Sequence, residues 1–295
     1  MYSHRAAASA AEGGGSRTGA PRGGLLYGQR WRKCEQLGRG AHGTAVYRAV
    51  LLDTGESIAV KQILTGGVVG RSDLQSVENE IGILRNLRHP NVVPLLGVEM
   101  VDQHLNIFFQ YMDGGSLRQR LDRKGPMSDG QTAAVTRKVL VGLSYLHSNG
   151  ITHRDMKGGN VVLSKAGAVK LADFGTGMPM DQGRVVRGLK GTPNWMAPEV
   201  IRNQLGHGGW QQADVWSVGC TVVEMLTGRD PWGNMSNPIS AMFQIVKGVL
   251  PPLGDRGVSE EAKSFIAACL ASEPLQRPTV EQLMAHPLLV KHSIW

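Results

Sequence analysis

The stretch ITHRDMKGGNVVL, residues 151–163, places polar side chains between two short apolar segments. Its ends, Ile151 and residues 161–163, are β-branched or apolar and predict two buried strands. A buried strand pair does not explain the five polar side chains between them, which are His153, Arg154, Asp155, Lys157 and Asn160. Because buried polar groups cost free energy unless they find partners, this stretch predicts a site that binds something polar.

The composition limits the class of protein. A chain of 295 residues is long enough to bury a sizeable core. No apolar run approaches the roughly 18–20 residues of a membrane-spanning helix, and the N-terminus lacks the apolar region of a secretory signal. The three cysteines are far apart and outside any metal-binding spacing, which is typical of reduced thiols in a cytoplasmic protein; they are Cys34, Cys220 and Cys269.

The net charge of +8 makes a nucleic-acid-binding module one alternative. Residues 1–33 supply +5 of this charge, from six Arg or Lys residues against Glu12 alone. The remaining +3 is ordinary, and few aromatic residues are present to stack on bases. We therefore expect no specific nucleic-acid partner, and any binding by the tail would vanish when residues 1–33 are deleted.

The chain divides into a tail and two differently patterned parts. Residues 1–28 are rich in Ala, Gly, Ser and Arg and predict a disordered basic tail. From about Trp31 to Leu64, β-branched runs alternate with glycine turns, including DTGES, which predicts an antiparallel meander. Apolar residues of helical spacing at 74–87 and two further strands then lead to the glycine break at 113–116.

After this break helices predominate, notably residues 131–150 and 212–228, with Gly150 and Gly228 as predicted stops. We expect an α+β fold with two lobes over residues 31–290. The N-lobe would be a small antiparallel sheet with one helix at about 31–112, and the C-lobe would be mostly helical at about 116–290. A cleft is expected between them.

Glycines at 38, 40 and 43 lie between two predicted strands. Gly38, Gly40 and Gly43 fit either a glycine-rich hairpin or a loop whose backbone N–H groups close over phosphates. No helix follows the loop, which disfavours a dinucleotide-binding fold. On a later strand, Lys61 is either a solvated edge residue or a paired cation; Glu80, inside the apolar stripe of the 74–87 helix, is the acid predicted to face it.

Three short oxygen-bearing side chains, Asp155, Asn160 and Asp173, lie at predicted strand ends and loops. Mg²⁺ prefers such ligands, and a magnesium ion on nucleotide phosphates needs one or two protein carboxylates. The third group would then be available as a base.

These motifs together resemble a eukaryotic protein kinase over about residues 33–290. The glycine loop is followed in order by IAVK, HRDMKGGN, DFG and APE, the set described for that family. The phrases DMKGGN, GTPNWMAPE and ADVWSVGCTVVEMLTG further resemble serine/threonine kinases of the branch that includes mitogen-activated protein kinase kinase kinases. The resemblance implies an ATP:protein phosphotransferase whose protein substrate could be a downstream kinase.

The resemblance also implies residue roles. Asp155 would accept the proton of the substrate hydroxyl, Lys157 would neutralise charge on the γ-phosphoryl group, and Asn160 and Asp173 would hold Mg²⁺. Lys61 would pair with Glu80 and hold the α- and β-phosphates. The expected ATP-binding set comprises Gly38, Gly40, Gly43, Val46, Ala59, Lys61, Glu80, Phe109, Gln110, Met112, Ser116 and Leu163. Among these, Phe109 would control the back pocket, while the main chain at Gln110 and Met112 would read adenine.

Three structural residues are implied as well. Glu199 and Arg277 would form a buried ion pair, and Asp214 would hold the backbone of the catalytic loop. Thr192 would hydrogen-bond to Asp155 and Lys157.

The sequence departs from the family pattern in three places. One extra residue follows the last loop glycine, so either Ala45 or Val46 would cover adenine, with a bulge nearby. Asn194 replaces an aromatic residue common after GTP. Between Asp173 and Glu199, the only hydroxyl side chains are those of Thr176 and Thr192.

The last departure predicts activity without phosphorylation in that segment, or activation by an acidic partner protein, with Asp181 as a fixed negative charge. A nucleotide-binding pseudokinase scaffold is the alternative of a different class. The intact set of charged residues argues against it.

Overall fold

The computed structural model describes residues 25–26, 29–39, 44–65, 81–82, 84–173, 178–179, 192–205, 209–233, 238–254 and 257–292. Its N-terminal strands are β1 (Leu25–Leu26), β2 (Gln29–Arg39), β3 (Ala45–Leu51), β4 (Ser57–Leu64), β5 (Leu95–Val101) and β6 (His104–Gln110). They pair antiparallel in the order β1-β2-β3-β4-β6-β5. The predicted meander and the antiparallel sheet of an N-lobe are confirmed.

The turn between β3 and β4 forms where DTGES predicts it. Gly55 has φ 72°, a left-handed conformation that glycine adopts without steric cost, and its N–H donates to Leu51 O at 2.8 Å. One face of the sheet buries its own small core around the Trp31 ring, which meets the Phe108 ring edge-on at 5.5 Å. Alternation of inward and outward side chains along the strands therefore produces this core.

Two details of the sheet differ from the sequence-based expectation. Ordered structure begins by Leu25 and not near Trp31, because Leu25 and Leu26 pair with Arg30 and Gln29. A two-residue strand is too short to show any apolar alternation. The irregularities also lie in β2, where the register against β3 shifts between Lys33 and Gln36 and again between Gln36 and Gly38.

The predicted helix at 74–87 falls mostly outside the described residues, including Leu74, Val77 and Glu80. Residues 81–82 and 84–86 are helical. Ile81, Leu84 and Leu87 are all buried, as their spacing predicts, and they pack into the core that continues into the C-terminal part.

The C-terminal part is mostly helical. Its helices are α1 (Leu117–Lys124), α2 (Asp129–Ser148), α3 (Pro198–Ile201), α4 (Gly209–Thr227), α5 (Pro238–Val246), α6 (Glu260–Cys269), α7 (Val280–Met284) and α8 (Pro287–Lys291). Short strands are β7 (Gly115–Ser116), β8 (Ile151–Thr152), β9 (Val161–Leu163), β10 (Val169–Leu171) and β11 (Met178–Pro179). Strand β9 pairs antiparallel with both β7 and β10, and β8 pairs with β11. The predicted bilobal α+β kinase fold is confirmed.

Local signals place the ends of the long helices. Ser128 caps the start of α2 in a reciprocal hydrogen-bond pair with Gln131. Gly150 follows the end of α2 with φ 72°, and Gly228 follows α4 with φ 70°. Both glycines therefore stop the helices where the sequence predicts.

Helix α4 forms the centre of the C-terminal part, with residues 213–226 all buried. Beside it, Arg277 donates two hydrogen bonds to the buried Glu199 carboxylate, at 2.6 and 2.8 Å. The ion pair predicted between these residues is confirmed. The Arg277 guanidinium also stacks over the Trp216 ring, so the pair links three parts of the chain to the core.

The three cysteines are unbonded thiols, and Cys220 and Cys269 are buried. Burial raises the pKa of both buried thiols. Among the residues described, no helix is both long and apolar enough to cross a membrane.

Candidate active site

Asp155 lies at the centre of a connected group of polar side chains. Its Oδ2 accepts hydrogen bonds from Lys157 Nζ at 2.7 Å and from Asn160 Nδ2 at 2.9 Å. Its Oδ1 accepts from the Thr192 hydroxyl at 3.1 Å. Lys157 also donates to Thr192 Oγ1, which confirms the predicted contacts of Thr192 with both residues. A carboxylate, an ammonium group and an amide thus converge where the opening sequence stretch predicts a polar site.

The backbone of this loop is held from below by Asp214 on α4. Its carboxylate accepts from the N–H groups of His153 and Arg154 at 2.9 and 2.8 Å, and from His147 Nε2 at 2.9 Å. Arg154 has φ 68°, an uncommon conformation for a non-glycine residue, and the Asp214 contact fixes it. The predicted role of Asp214 in holding the loop backbone is confirmed.

The electrostatics of this anchor follow from burial and hydrogen bonding. Burial alone would raise the pKa of Asp214, but the hydrogen bond from His147 and the nearby charges bring its pKa below the ordinary value. Burial lowers the pKa of His153, so this imidazole is neutral. Its two ring nitrogens then lie against Ala172 O at 3.2 Å and the Asp155 N–H at 3.4 Å, which joins the loop to β10.

Asn160 and Asp173 are brought together by the β9–β10 hairpin. Ala172 N donates to Asn160 O at 2.9 Å, so Asp173, the next residue, lies close to Asn160. The Asn160 amide nitrogen is already bound to Asp155, which points to its carbonyl oxygen as the ligand atom. One carboxylate and one amide oxygen fit an ion that takes its other ligands from phosphates and water, as Mg²⁺ does.

Lys61 extends from β4 towards the same point. Its Nζ lies 2.9 Å from Asp173 Oδ1. Val46 pairs directly with Lys61 across β3 and β4, and opposed residues of an antiparallel pair share a face, so Val46 and not Ala45 lies on the side of Lys61. Gly38 is within β2, whereas Gly40, Gly43 and Glu80 lie outside the described residues.

The expected hinge lies at the end of β6. Phe109 pairs with Ala59 across β4 and β6, and it packs against the main core. Gln110 N donates to Pro94 O at 3.3 Å, and Met112 is buried, with its carbonyl accepting from Gly115 N at 3.2 Å.

The other expected ATP-binding residues lie just beyond the hinge. Gly115 pairs with Leu163, and Ser116 pairs with Val162, so the start of α1 is fastened to β9. The Ser116 hydroxyl caps α1 by accepting from Gln119 N at 3.2 Å. The expected set therefore lines one continuous path from β4 to β9 in the described part of the chain.

Sequence reasoning missed a buried carboxylate beneath the loop. Glu224 is fully buried on α4, accepts from Gly158 N at 2.8 Å, and forms an ion pair with Arg118 at 3.2 Å. Burial raises the pKa of Glu224, which these two partners oppose. The available signal was an acid inside the apolar run TVVEML, because a carboxylate there needs a partner.

A second missed residue is Trp210 at the start of α4. The Arg154 guanidinium lies 4.3 Å from the centre of its ring, and Arg154 Nε donates to Thr152 Oγ1 at 3.2 Å. No spacing in the sequence connects positions 154 and 210, so this contact depends on tertiary structure.

Comparison with known proteins gives consistent matches. Residues 31–289 match the family described as Protein kinase domain. The chain is 42% identical over 269 residues to Mitogen-activated protein kinase kinase kinase 2 of Arabidopsis thaliana, covering 88% of this chain and 41% of that protein. It is 42% identical over 273 residues to Mitogen-activated protein kinase kinase kinase ANP1 of the same plant, covering 89% and 40%.

A further relative is Mitogen-activated protein kinase kinase kinase A of Dictyostelium discoideum, 39% identical over 267 residues, covering 88% of this chain and 28% of that protein. The chain spans about two fifths of the length of the two Arabidopsis relatives. The resemblance to this branch, predicted from short phrases, is confirmed. Since the family match runs through both the sheet and the helical part and includes the group around Asp155, the chain belongs to the protein kinase family.

Proposed function

We propose that the chain is a serine/threonine protein kinase that transfers the γ-phosphate of MgATP to protein hydroxyls within a mitogen-activated protein kinase cascade. The observation that carries this proposal is the hydrogen-bonded group of Asp155, Lys157, Asn160 and Thr192. The Lys61–Asp173 ion pair lies in the same catalytic region. Phosphoryl transfer depends almost entirely on positioning and charge, and these residues supply both.

Asp155 acts as the acceptor-side base. Its two oxygens are oriented by Lys157, Asn160 and Thr192, so the carboxylate is held while it receives the proton of the attacking Ser or Thr hydroxyl. Lys157 is close enough to Asp155 to face the same reacting group, and its ammonium stabilises negative charge on the γ-phosphoryl group.

Asn160 and Asp173 hold Mg²⁺, whose charge would offset that of the β- and γ-phosphates. Lys61 binds the α- and β-phosphates and is paired with Glu80. Val46, Ala59, Phe109, Gln110, Met112, Ser116 and Leu163 bind the adenosine part, and the loop of Gly38, Gly40 and Gly43 covers the phosphates.

The protein substrate is a downstream kinase. Support comes from the printed names of the relatives, which place those proteins at the third kinase level. A cytoplasmic location is supported by three unbonded cysteines, because that compartment keeps thiols reduced.

The test is phosphorylation of a panel of purified, catalytically inactive mitogen-activated protein kinase kinases by the purified chain. We expect phosphate on Ser or Thr of at least one member, and none with the Asp155→Asn variant. Efficient phosphorylation of a generic acceptor, with no transfer to any member of the panel, would contradict the cascade assignment.

A further inference from the structure

Helix α5 is apolar on both of its faces. Ala241 and Ile245 are fully buried on the inner face. On the outer face, Ile239 is 68% exposed and Phe243 is 57% exposed, although large apolar side chains usually turn inward. These two residues are four positions apart, so they lie side by side on one face of the helix.

The exposed apolar surface continues past the end of the helix. Val249 and Leu250 are 45% and 51% exposed, and Val249 N donates to Gln244 O at 3.0 Å, which folds this segment back on α5. We define the α5 surface as Ile239, Phe243, Val249 and Leu250. Contiguous apolar groups of this kind mark binding surfaces more often than single exposed residues do.

The α5 surface is connected to the acceptor side of the active site. Trp232 Nε1 donates to Val249 O at 2.8 Å, and Asn194 Nδ2 contacts Pro231 O at 3.4 Å. Asn194 is two residues after Thr192, whose hydroxyl binds Asp155. A protein that covers α5 would therefore lie next to the segment that orients the base.

The charge around the surface is positive. Lys247 is the only charged residue between positions 231 and 254, and its Nζ lies 4.3 Å from the centre of the Phe243 ring. Arg202 donates to Val246 O at 2.7 Å, at the end of the same helix. A partner that pairs its own apolar side chains with this surface would need carboxylates opposite the two cations.

We propose that the α5 surface docks the protein substrate through an apolar patch flanked by Asp or Glu side chains on that substrate. This inference rests on the proposed kinase function and names the surface that selects its substrate. A lipid surface fits less well, because recognition of anionic lipids uses clusters of about four to eight basic residues. Pairing of two copies fits less well too, since it would bring Lys247 and Arg202 towards their like-charged counterparts.

The experiment measures binding separately from catalysis. The full chain carrying Asp155→Asn is titrated with each inactive mitogen-activated protein kinase kinase of the panel, and Phe243→Ser and Lys247→Glu are compared with Met100→Ser. Met100, on β5, is 55% exposed and matches Phe243 in exposure, but it lies in the N-lobe sheet. We expect about a tenfold or greater loss of affinity for Phe243→Ser, a smaller loss for Lys247→Glu, and no change for Met100→Ser.

Kinetics in the Asp155-containing chain give a second readout. Phe243→Ser should raise KM for the protein substrate while leaving kcat and the rate on a short Ser/Thr peptide within about twofold, because docking is remote from the reacting atoms. Normal peptide kinetics show that the variant is folded and that the kinase function stands, whatever the docking result.

Three results would overturn the inference. Equal affinity of the Phe243→Ser and Met100→Ser variants for every panel member would exclude docking at α5. Unchanged affinity together with loss of binding to phosphatidylserine vesicles would assign the surface to a membrane. Conversion of a wild-type dimer to a monomer by Phe243→Ser, with unchanged affinity, would assign it to self-association.

Discussion

Lys61 and Asp173 are opposite charges from different lobes, and their side-chain atoms lie 2.9 Å apart. Each is expected to contact either the phosphates or the metal. We predict that Lys61→Met and Asp173→Ala each lower the rate of phosphoryl transfer about a hundredfold or more, because each removes charge that stabilises the transition state. Turnover on a protein acceptor measures the effect.

The matched control is Lys263→Met, which removes a lysine from the exposed pair that Lys263 forms with Glu260. Circular dichroism should show all three variants folded. Near-normal turnover in either Lys61→Met or Asp173→Ala would contradict the assigned role of that residue.

Asp155 is expected to meet the acceptor hydroxyl and not the nucleotide. Asp155→Asn keeps the shape of the side chain but removes the base, so turnover should fall strongly while ATP affinity changes little. Parallel measurement of kcat and of nucleotide binding separates the two effects. A large loss of ATP affinity with little change in kcat would show that Asp155 serves the nucleotide.

Which single residues could be predicted depends on whether their partners are near in sequence. Asp155, Lys157 and Asn160 lie within six positions, and their motif predicts the group that the structure shows. Glu224 contacts Gly158 across 66 positions, and only its apolar neighbours in sequence hinted at a partner. Such contacts follow from packing, which no short pattern encodes.

At the level of elements, the short 3₁₀ helix Gly158–Asn160 is pressed against α4. A Cβ atom at Gly158 would lie 2.5 Å from Glu224 Oε1, whereas one at Gly159 would lie no closer than 3.7 Å to any neighbour. We predict that Gly158→Ala lowers the free energy of unfolding by about 1–3 kcal/mol, because Glu224 is buried and has little room to move. Denaturant unfolding measures this change.

Gly159→Ala is the matched control, one residue away in the same turn. It should leave stability unchanged or slightly raised, because alanine restricts the unfolded chain more than glycine does. Equal stability of the two variants would show that Glu224 can withdraw, and would remove the reason for a glycine at position 158.

Element boundaries were predictable where local chemistry sets them. Glycines at 150 and 228 end α2 and α4 because their backbone takes the left-handed conformation there. The register shifts of β2 and the pairing of Leu25–Leu26 were not predictable, since they depend on how neighbouring strands align.

At the scale of the whole molecule, regulation depends on what Arg154 meets. Family resemblance gives this residue a phosphate on the activation segment, yet residues 174–191 contain Thr176 as their only hydroxyl side chain. In the structure its guanidinium stacks on Trp210, and burial lowers the pKa of Arg154 to about 10, so it stays charged at neutral pH. Trp210 thus stabilises the cation without a phosphate.

We predict that the chain retains its activity after phosphatase treatment. Trp210→Ala should lower that activity, and Trp210→Phe should restore most of it by keeping an aromatic face. Rates and phosphosites of the stripped protein provide the measurement. Loss of activity on stripping, with recovery when Thr176 or Thr192 is phosphorylated again, would contradict this account.

The two-lobed architecture could be predicted because strand-like and helix-like patterns occupy separate parts of the chain. The contacts between distant parts, such as Arg154 with Trp210 and Arg118 with Glu224, could not, because they arise only when the lobes and helices are packed together.

The most direct test of the central claim is transfer of labelled γ-phosphate from MgATP to a generic protein acceptor such as casein. We predict phosphoserine or phosphothreonine with the purified chain, dependent on Mg²⁺ and absent with Asp155→Asn. Nucleotide binding without transfer, by a folded and phosphatase-untreated wild-type chain, would contradict the account and make the protein a nucleotide-binding scaffold.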